Sequence, residues 1–281
     1  MEHYVKSVVP IIESNYNSFT NAERNIADFF IQNKEMRDFS AKSVAEMLFV
    51  SEASLSRFAK KCGYQGYREF IYQYRENFSE KTETITGNTR KVLDAYQEIL
   101  NKTYNLVDET QIMRVCEAIA KANRVKVCGI GSSGIAANEM QLRFMRIGVD
   151  IDAMDHSDMM KMQAVFQRKN DLVIGISISG EKEEILFMLK EAHRRGARTI
   201  LITAQYKAGF AEFCDEVVLF PSLLHLNHGN VISPQFPILI MTDIIFSYYI
   251  EQDAYRKETL HEETLRALGG TIKVPGAYIV S

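Results

Sequence analysis

Through residues 1–78, apolar side chains recur at spacings of three and four, and no alternating run of β-branched residues interrupts them. That period predicts a set of short helices. Thr20-Asn21-Ala22-Glu23 has capping-box spacing: the threonine side chain accepts a first-turn amide and the glutamate reaches back to the chain before it. A helix should begin there, turn Ile26, Phe29 and Phe30 inward and end near Asn33. Ser40 to Leu48 reads as a second short helix, Phe49-Val50 as a tight turn, and Ser51 as the cap of a helix from Glu52 to Cys62. This is helix-turn-helix spacing, with Val44, Leu48, Val50, Leu55, Phe58 and Ala59 as its small core.

The pattern changes beyond residue 78. Ser79 to Asn88 is polar and mixed, and Val92, Leu93, Tyr96, Ile99, Leu100 and Tyr104 then mark a helix with an apolar stripe, to be covered by the next domain or by a partner subunit. From about residue 108, helix and strand alternate. Helices are expected over Glu109–Ala122, Ile135–Ile147, Ser157–Phe166, Glu183–Arg195, a short one over Ala208–Phe213, and Pro234–Gln252. Strands are expected over Val125–Ile130, Val149–Ala153, Asp171–Ser177, Arg198–Thr203 and Glu216–Phe220. Continuous apolar strands such as Leu172-Val173-Ile174-Gly175-Ile176 belong to a parallel sheet buried on both faces. The expected fold is an all-α helix-turn-helix domain (1–78), a linker and connecting helix (79–107), a doubly wound parallel-sheet α/β domain (108–268) and a tail without period (269–281).

Composition narrows this little. The chain has 281 residues, 46% of them hydrophobic, with 15 Gly and 5 Pro, so disorder and low complexity are excluded. A net charge of -3 shows no global nucleic-acid footprint. Cys62, Cys116, Cys128 and Cys214 are far apart in apolar stretches, which predicts buried thiols in a reducing cytosol and no structural metal. The N-terminus lacks a signal-peptide pattern, and Pro237, Asp243 and Ser247 interrupt the apolar stretch Phe236–Ile250, so a soluble cytoplasmic protein is expected.

Two places carry candidate chemistry. The outer side of the second helix of the helix-turn-helix shows Ser51, Ser54, Ser56, Arg57, Lys60 and Lys61. Hydroxyls toward the helix start and cations toward its end suit an element whose first turn reaches base edges while its flank meets phosphates. Ten Lys and Arg stand against eleven Asp and Glu over residues 1–80, so the segment is not basic overall; its cations bunch late, at Arg57, Lys60, Lys61, Arg68 and Arg75. The bland alternative is a helical hairpin with a solvated lysine face.

The second place is a pair of loops, each running from a strand into a helix: Gly129-Ile130-Gly131-Ser132-Ser133-Gly134 and Ser177-Ile178-Ser179-Gly180-Glu181-Lys182. Ligands of open α/β sheets bind beyond the carboxyl ends of the strands, where glycine admits an anion to the backbone and a helix start offers free N–H groups. Gly131, Ser132, Ser133, Ser177, Ser179, Gly180 and Lys182 together outline one anion pocket. The first loop also matches a dinucleotide fingerprint, with Asp150 or Asp152 as its acid. A dinucleotide has no need of the second loop's hydroxyls, which favours a phosphorylated sugar; tight helix–strand packing would by itself also explain the glycines.

Val50-Ser51-Glu52-Ala53-Ser54 to Arg57-Phe58, followed by Lys61-Cys62-Gly63-Tyr64-Gln65-Gly66-Tyr67, resembles the N-terminal domain of RpiR-family transcriptional regulators. Gly129-Ile130-Gly131-Ser132-Ser133, Phe144-Met145-Arg146-Ile147-Gly148 and Ser177-Ile178-Ser179-Gly180 resemble the sugar isomerase (SIS) domain of the same family. The resemblance spans nearly the whole chain. It implies a bacterial regulator that binds operator DNA through its helical domain and a phosphosugar through its SIS domain, as a dimer or tetramer. It places Ser51, Ser54 and Arg57 on the recognition helix and Ser132, Ser133, Ser177 and Ser179 on the phosphate loops. Two positions depart from the family's pattern: Phe49 stands where a glycine commonly makes the turn, which predicts a different or a strained turn. Lys182 stands where a threonine is common, replacing a hydroxyl by a point charge.

SIS-domain isomerases need a general base. Glu181, Glu183, Glu184, His225 and His228 are the candidates, and none has a spacing that identifies it. The expectation is therefore a regulator without catalytic residues, cofactor or metal, with a sugar-phosphate isomerase or an NAD(H)-sensing repressor as the alternatives.

Overall fold

Thr20 caps a helix as its spacing predicts. After a short α1 (Val9–Asn15), the Thr20 side chain accepts the Glu23 amide, the Glu23 carboxylate accepts the Thr20 amide at 2.9 Å, and α2 (Asn21–Gln32) begins. This computed structural model describes residues 8–33, 35–76 and 87–269, in two compact units divided at Gly87. Most of the polar linker 79–88 and nearly all of the tail 269–281 lie outside the described residues.

In the first unit, α3 (Ala41–Leu48), α4 (Glu52–Lys61) and α5 (Tyr67–Glu76) follow α2. Ser40 caps α3 through the Ser43 amide, and Ser51 caps α4 through the Ser54 amide. The core is aromatic: Phe30 lies 4.8 Å from Tyr74 and 4.9 Å from Phe70, edge to face in both cases. Val44, Leu55, Phe58 and Ala59 are buried as expected, and Leu48 and Val50 pack at the edge. Phe29 is only partly buried; Ala27 and Phe30 take the inner positions beside Ile26.

In the second unit, α6 (Gly87–Leu106) and α7 (Glu109–Lys121) lead into β1 (Arg124–Gly129), α8 (Ser132–Met145), β2 (Ile151–Met154), α9 (Ser157–Ala164) and β3 (Asp171–Ile176). Then come α10 (Glu183–Arg194), β4 (Arg198–Thr203), β5 (Glu216–Leu219), α11 (Phe236–Glu251) and α12 (Ala254–Ala267). All five strands pair in parallel, in the order β2-β1-β3-β4-β5. Side chains alternate across the sheet: Val127, Ile174 and Ile202 pack with α7, α8 and α11 on one face, Val173 and Leu201 with α9 and α10 on the other. This is the doubly wound α/β architecture.

Three local results refine the sequence reading. The short helix expected over Ala208–Phe213 is a 3-10 helix over Ala208–Glu212. α12 carried too few apolar residues to show a period, yet Leu260 packs against Gly148 and the Lys257 ammonium donates to the Tyr249 carbonyl. The stripe on α6 packs on its own unit: Ala95 and Ile99 meet Leu226 and Ile232, and Tyr96 lies 4.3 Å from Phe236. Leu100 and Tyr104 remain exposed.

Candidate functional site

The start of α4 is organised by its own side chains. Ser51 Oγ accepts the Ser54 amide at 3.1 Å and lies 2.9 Å from Ser54 Oγ, which accepts from the Arg57 guanidinium at 3.2 Å. Residues three apart share a helix side, so this chain of contacts fixes Arg57 in place while its side chain stays exposed. Lys60 is also exposed, opposite the buried Leu55, and Ser56 is half-buried. Lys61 is exposed as well, but its ammonium is engaged within the fold. Its ammonium lies 2.7 Å from the nearly buried Glu23 carboxylate and reaches the Ser18 carbonyl, tying α4 to the start of α2. Burial pushes Glu23 up, but the bonds from Lys61 and Thr20 outweigh it and hold the carboxyl below its ordinary value.

The turn before α4 is strained at Phe49, whose φ of 54° and ψ of 41° are the left-handed values that glycine adopts freely. Of the two alternatives the sequence left open, the turn keeps its shape and the residue bears the strain.

In the second unit the two glycine loops leave the sheet side by side. β1 pairs directly with β3, with Cys128 opposite Gly175 and Gly129 opposite Ile176, so the chains diverge from strands about 4.8 Å apart. The order β2-β1-β3 makes this a topological switch point, where open sheets bind ligands. The dinucleotide order would place the third strand outside the second, away from the first.

Each glycine here has its own reason. A Cβ on Gly129 would sit 2.3 Å from the Ser133 carbonyl oxygen, and one on Gly134 would sit 2.9 Å from the Gly129 oxygen, so both permit strand and helix to close up. Gly131 has a φ of +62° and open space where a Cβ would point. It stands at the N-cap of α8 without a side-chain bond, and the first intrahelical donors are Gly134 and Ile135, leaving the Ser132 and Ser133 amides ahead of them. Ser132 is half-buried and Ser133 buried.

In the other loop, Ser177 is 1% exposed and its Oγ has no hydrogen-bond partner among the described residues. Ser179 is exposed and its Oγ accepts the Glu181 amide. Gly180, at φ +63°, leaves the room that Phe210 occupies. Lys182 is exposed and begins α10 without capping it.

Some candidates fall elsewhere. Asp150 precedes β2 and Asp152 pairs with Lys126 early in the strand, so neither reaches the carboxyl edge that a dinucleotide acid must occupy. The residues that do reach it are Asp155 and His156, whose carboxylate and ring nitrogen lie 3.5 Å apart; Asp155 packs against Gly134 and contacts Asn138. The strand was expected over Val149–Ala153 and runs over Ile151–Met154, which moves its carboxyl end up to these two residues. Glu181 is bound by Lys207 at 2.7 Å, which holds its carboxyl below the ordinary range. Glu183 and Glu184 line a shallow outer groove with Lys161, Leu186, Phe187 and Lys190. His228 is half-buried at a 3-10 turn, and nothing is described of the His225 side chain.

All four cysteines are buried free thiols, with burial raising Cys62 and Cys116 to about 11 and Cys128 and Cys214 to about 12. Among the described residues no cluster of three metal-ligating side chains occurs, and no helix is long and apolar enough to cross a membrane.

Comparison with known proteins matches residues 6–81 to the helix-turn-helix domain of the rpiR family and residues 118–232 to the SIS domain. A Haemophilus influenzae protein described as an uncharacterized HTH-type transcriptional regulator is 28% identical over 277 residues, 93% of this chain and 96% of that one. The solved Vibrio vulnificus NanR protein, complexed with ManNAc-6P, aligns with a TM-score of 0.58 at 21% identity, over 93% of this chain and 99% of that one. The sugar isomerase domain of an RpiR transcription factor from Sphaerobacter thermophilus aligns with a TM-score of 0.56 at 21% identity, covering 63% of this chain and 97% of that one.

Proposed function

Because the chain belongs to the RpiR-type transcriptional regulators, with an rpiR-family helix-turn-helix followed by a SIS domain, we propose that it binds operator DNA through α3–α4 and a phosphosugar at the β1/β3 rim. The observation that carries the ligand reading is the buried, unpartnered Ser177 hydroxyl, set where two glycine loops leave adjacent strands. A buried hydroxyl without a partner costs about 1–3 kcal/mol, which a bound phosphate or sugar oxygen recovers. Gly131, Ser132 and Ser133 supply backbone and hydroxyl donors from one side, Ser177, Ser179 and Gly180 from the other, with Lys182 as the point charge. NanR, complexed with an amino-sugar phosphate, supports the same ligand class for this chain.

DNA contact rests on Ser51, Ser54, Ser56, Arg57 and Lys60. Lys61 acts on the fold instead, through Glu23. The helix-turn-helix, which an isomerase does not need, supports regulation rather than isomerisation.

The protein works as a homo-oligomer in this reading. Ile135 and Leu142 on α8, Met159 and Met162 on α9, Phe166 after it and Phe187 on α10 leave apolar surface exposed that a second copy would cover. Ligand bound at the rim then alters the spacing of paired recognition helices, and half-sites about one DNA turn apart sense that spacing. Coupling of this kind is typically about 1–3 kcal/mol, or about 5- to 150-fold in DNA affinity.

Thermal unfolding against hexose, pentose and amino-sugar phosphates, with NADH as the control, tests the ligand. At 100 times the dissociation constant the second unit gains about 2.7 kcal/mol. A shift with one phosphosugar and none with NADH is expected; a shift with NADH alone refutes the phosphosugar. Arg57→Ala is expected to weaken DNA binding about tenfold in an anisotropy titration while leaving phosphosugar affinity unchanged.

A further inference from the structure

Among the described residues of the first unit, Phe49 is the most exposed large apolar residue: 96% of its surface is free, on a backbone that glycine would hold without strain. Nothing in the fold asks for the ring. The turn is held by backbone and amide bonds: the Val50 amide donates to the Ala45 carbonyl at 2.9 Å, the Phe49 amide to the Glu46 carbonyl, and the Asn25 side chain to the Leu48 carbonyl at 3.2 Å. All of these survive replacement of the side chain. The ring therefore carries both a conformational and a solvation cost that folding does not recover.

Its position says what recovers them. Phe49 is the C-cap of α3, two residues before Ser51, which caps the start of α4 proposed to face base edges. Phe49 lines an open surface groove together with Lys42, Ala45, Glu46, Val50 and Glu52, two carboxylates against one cation, which is no seat for a phosphate. We propose that Phe49 is an apolar DNA-contacting residue, meeting thymine methyl groups or deoxyribose carbons beside the groove that α4 enters. The inference rests on the DNA-binding reading of α3–α4.

An apolar contact releases no counterions, so it differs from a phosphate contact in its salt dependence. The probe is the set of duplexes that the full-length parent protein selects from a random-sequence pool. Phe49→Gly is expected to bind them about tenfold more weakly with an unchanged slope of affinity against salt, whereas Lys60→Ala lowers that slope by about 1. Phe49→Gly should also melt at the parent's temperature or about 2–5 °C above it, because the strain is gone. Phe49→Leu keeps an apolar side chain and should retain most of the affinity.

Replacing thymine by uracil separates the two sources of apolar contact. If methyl groups are met, the parent weakens and Phe49→Gly does not; if deoxyribose is met, neither responds. Equal binding by the parent and Phe49→Gly overturns the inference and hands the ring to a protein partner. A lower melting temperature in Phe49→Gly overturns it in favour of a structural role. If the parent selects no duplex, the reading of α3–α4 as a DNA module fails, and the inference with it.

Discussion

Helix starts in the two units are finished differently. In the first unit, Thr20, Ser40 and Ser51 each turn a hydroxyl onto their own helix, so α2, α3 and α4 begin with a donor already satisfied. Around the switch point of the second unit, α8, α9 and α10 begin after β1, β2 and β3 behind Gly131, His156 and Lys182, and none of these caps its helix. The α7 start, capped by Asp108, shows that the second unit is capable of capping. The contrast separates a helix start whose donors are satisfied within the fold from a rim whose donors are left free, as the proposed ligand site requires. The first positions Arg57 through Ser51 and Ser54; the second leaves amides and the Ser177 hydroxyl unspent.

The most severe way to break the contrast is Gly129→Ala, because a Cβ 2.3 Å from the Ser133 carbonyl oxygen forces β1 and α8 apart. A loss of about 3 kcal/mol from the second unit is expected. Calorimetry should show that loss, with no response to a phosphosugar and an unaltered helix-turn-helix transition.

Ser177→Ala sharpens it. With an unpartnered hydroxyl removed, unfolding stability should hold or rise slightly, while phosphosugar affinity falls about 30-fold, as about 2 kcal/mol of lost hydrogen bonding implies. Isothermal titration reads the affinity. Unchanged affinity would move the ligand off the β3 loop.

Ser51→Ala should do the opposite, since its hydroxyl is spent within the fold. The first unit loses about 1 kcal/mol of stability, measured by thermal unfolding, and the side chain at Arg57 loses its fixed support.

The smallest effect is a pH dependence. Glu23 titrates below its ordinary value in the folded state, so it adds stability above the unfolded carboxyl value of about 4.3 and loses that contribution as pH falls through the lower folded one. The melting temperature of the first unit should therefore drop on acidification below about pH 4. Lys61→Ala should blunt the drop, because the pair that depresses Glu23 is gone.

Much of this molecule was legible as local pattern. Thr20 and Glu23 are three residues apart, and so are Ser51 and Ser54, so the helix starts could be read from neighbours. The five strands showed as apolar runs, and the two glycine loops as breaks between a strand and a helix. The signal that failed was weak in the same local sense: α12 is too polar to show a period.

What needed the folded chain were the partners brought from far along it. Lys61 looks like one more cation of a DNA-facing helix until Glu23 is found beneath it, 38 residues earlier. Asp152 looks like a ribose acid until the register sets it against Lys126, near the wrong end of β2. The proposed ligand rim forms because β3 pairs with β1 on the side away from β2, which brings Ser177 beside the Gly131 loop and Asp155 to the loop's other flank. Periodicity and capping act between residues a few positions apart and are written in the chain. Strand order depends on which crossover helices cover which face of the sheet, a choice made only when the whole core packs.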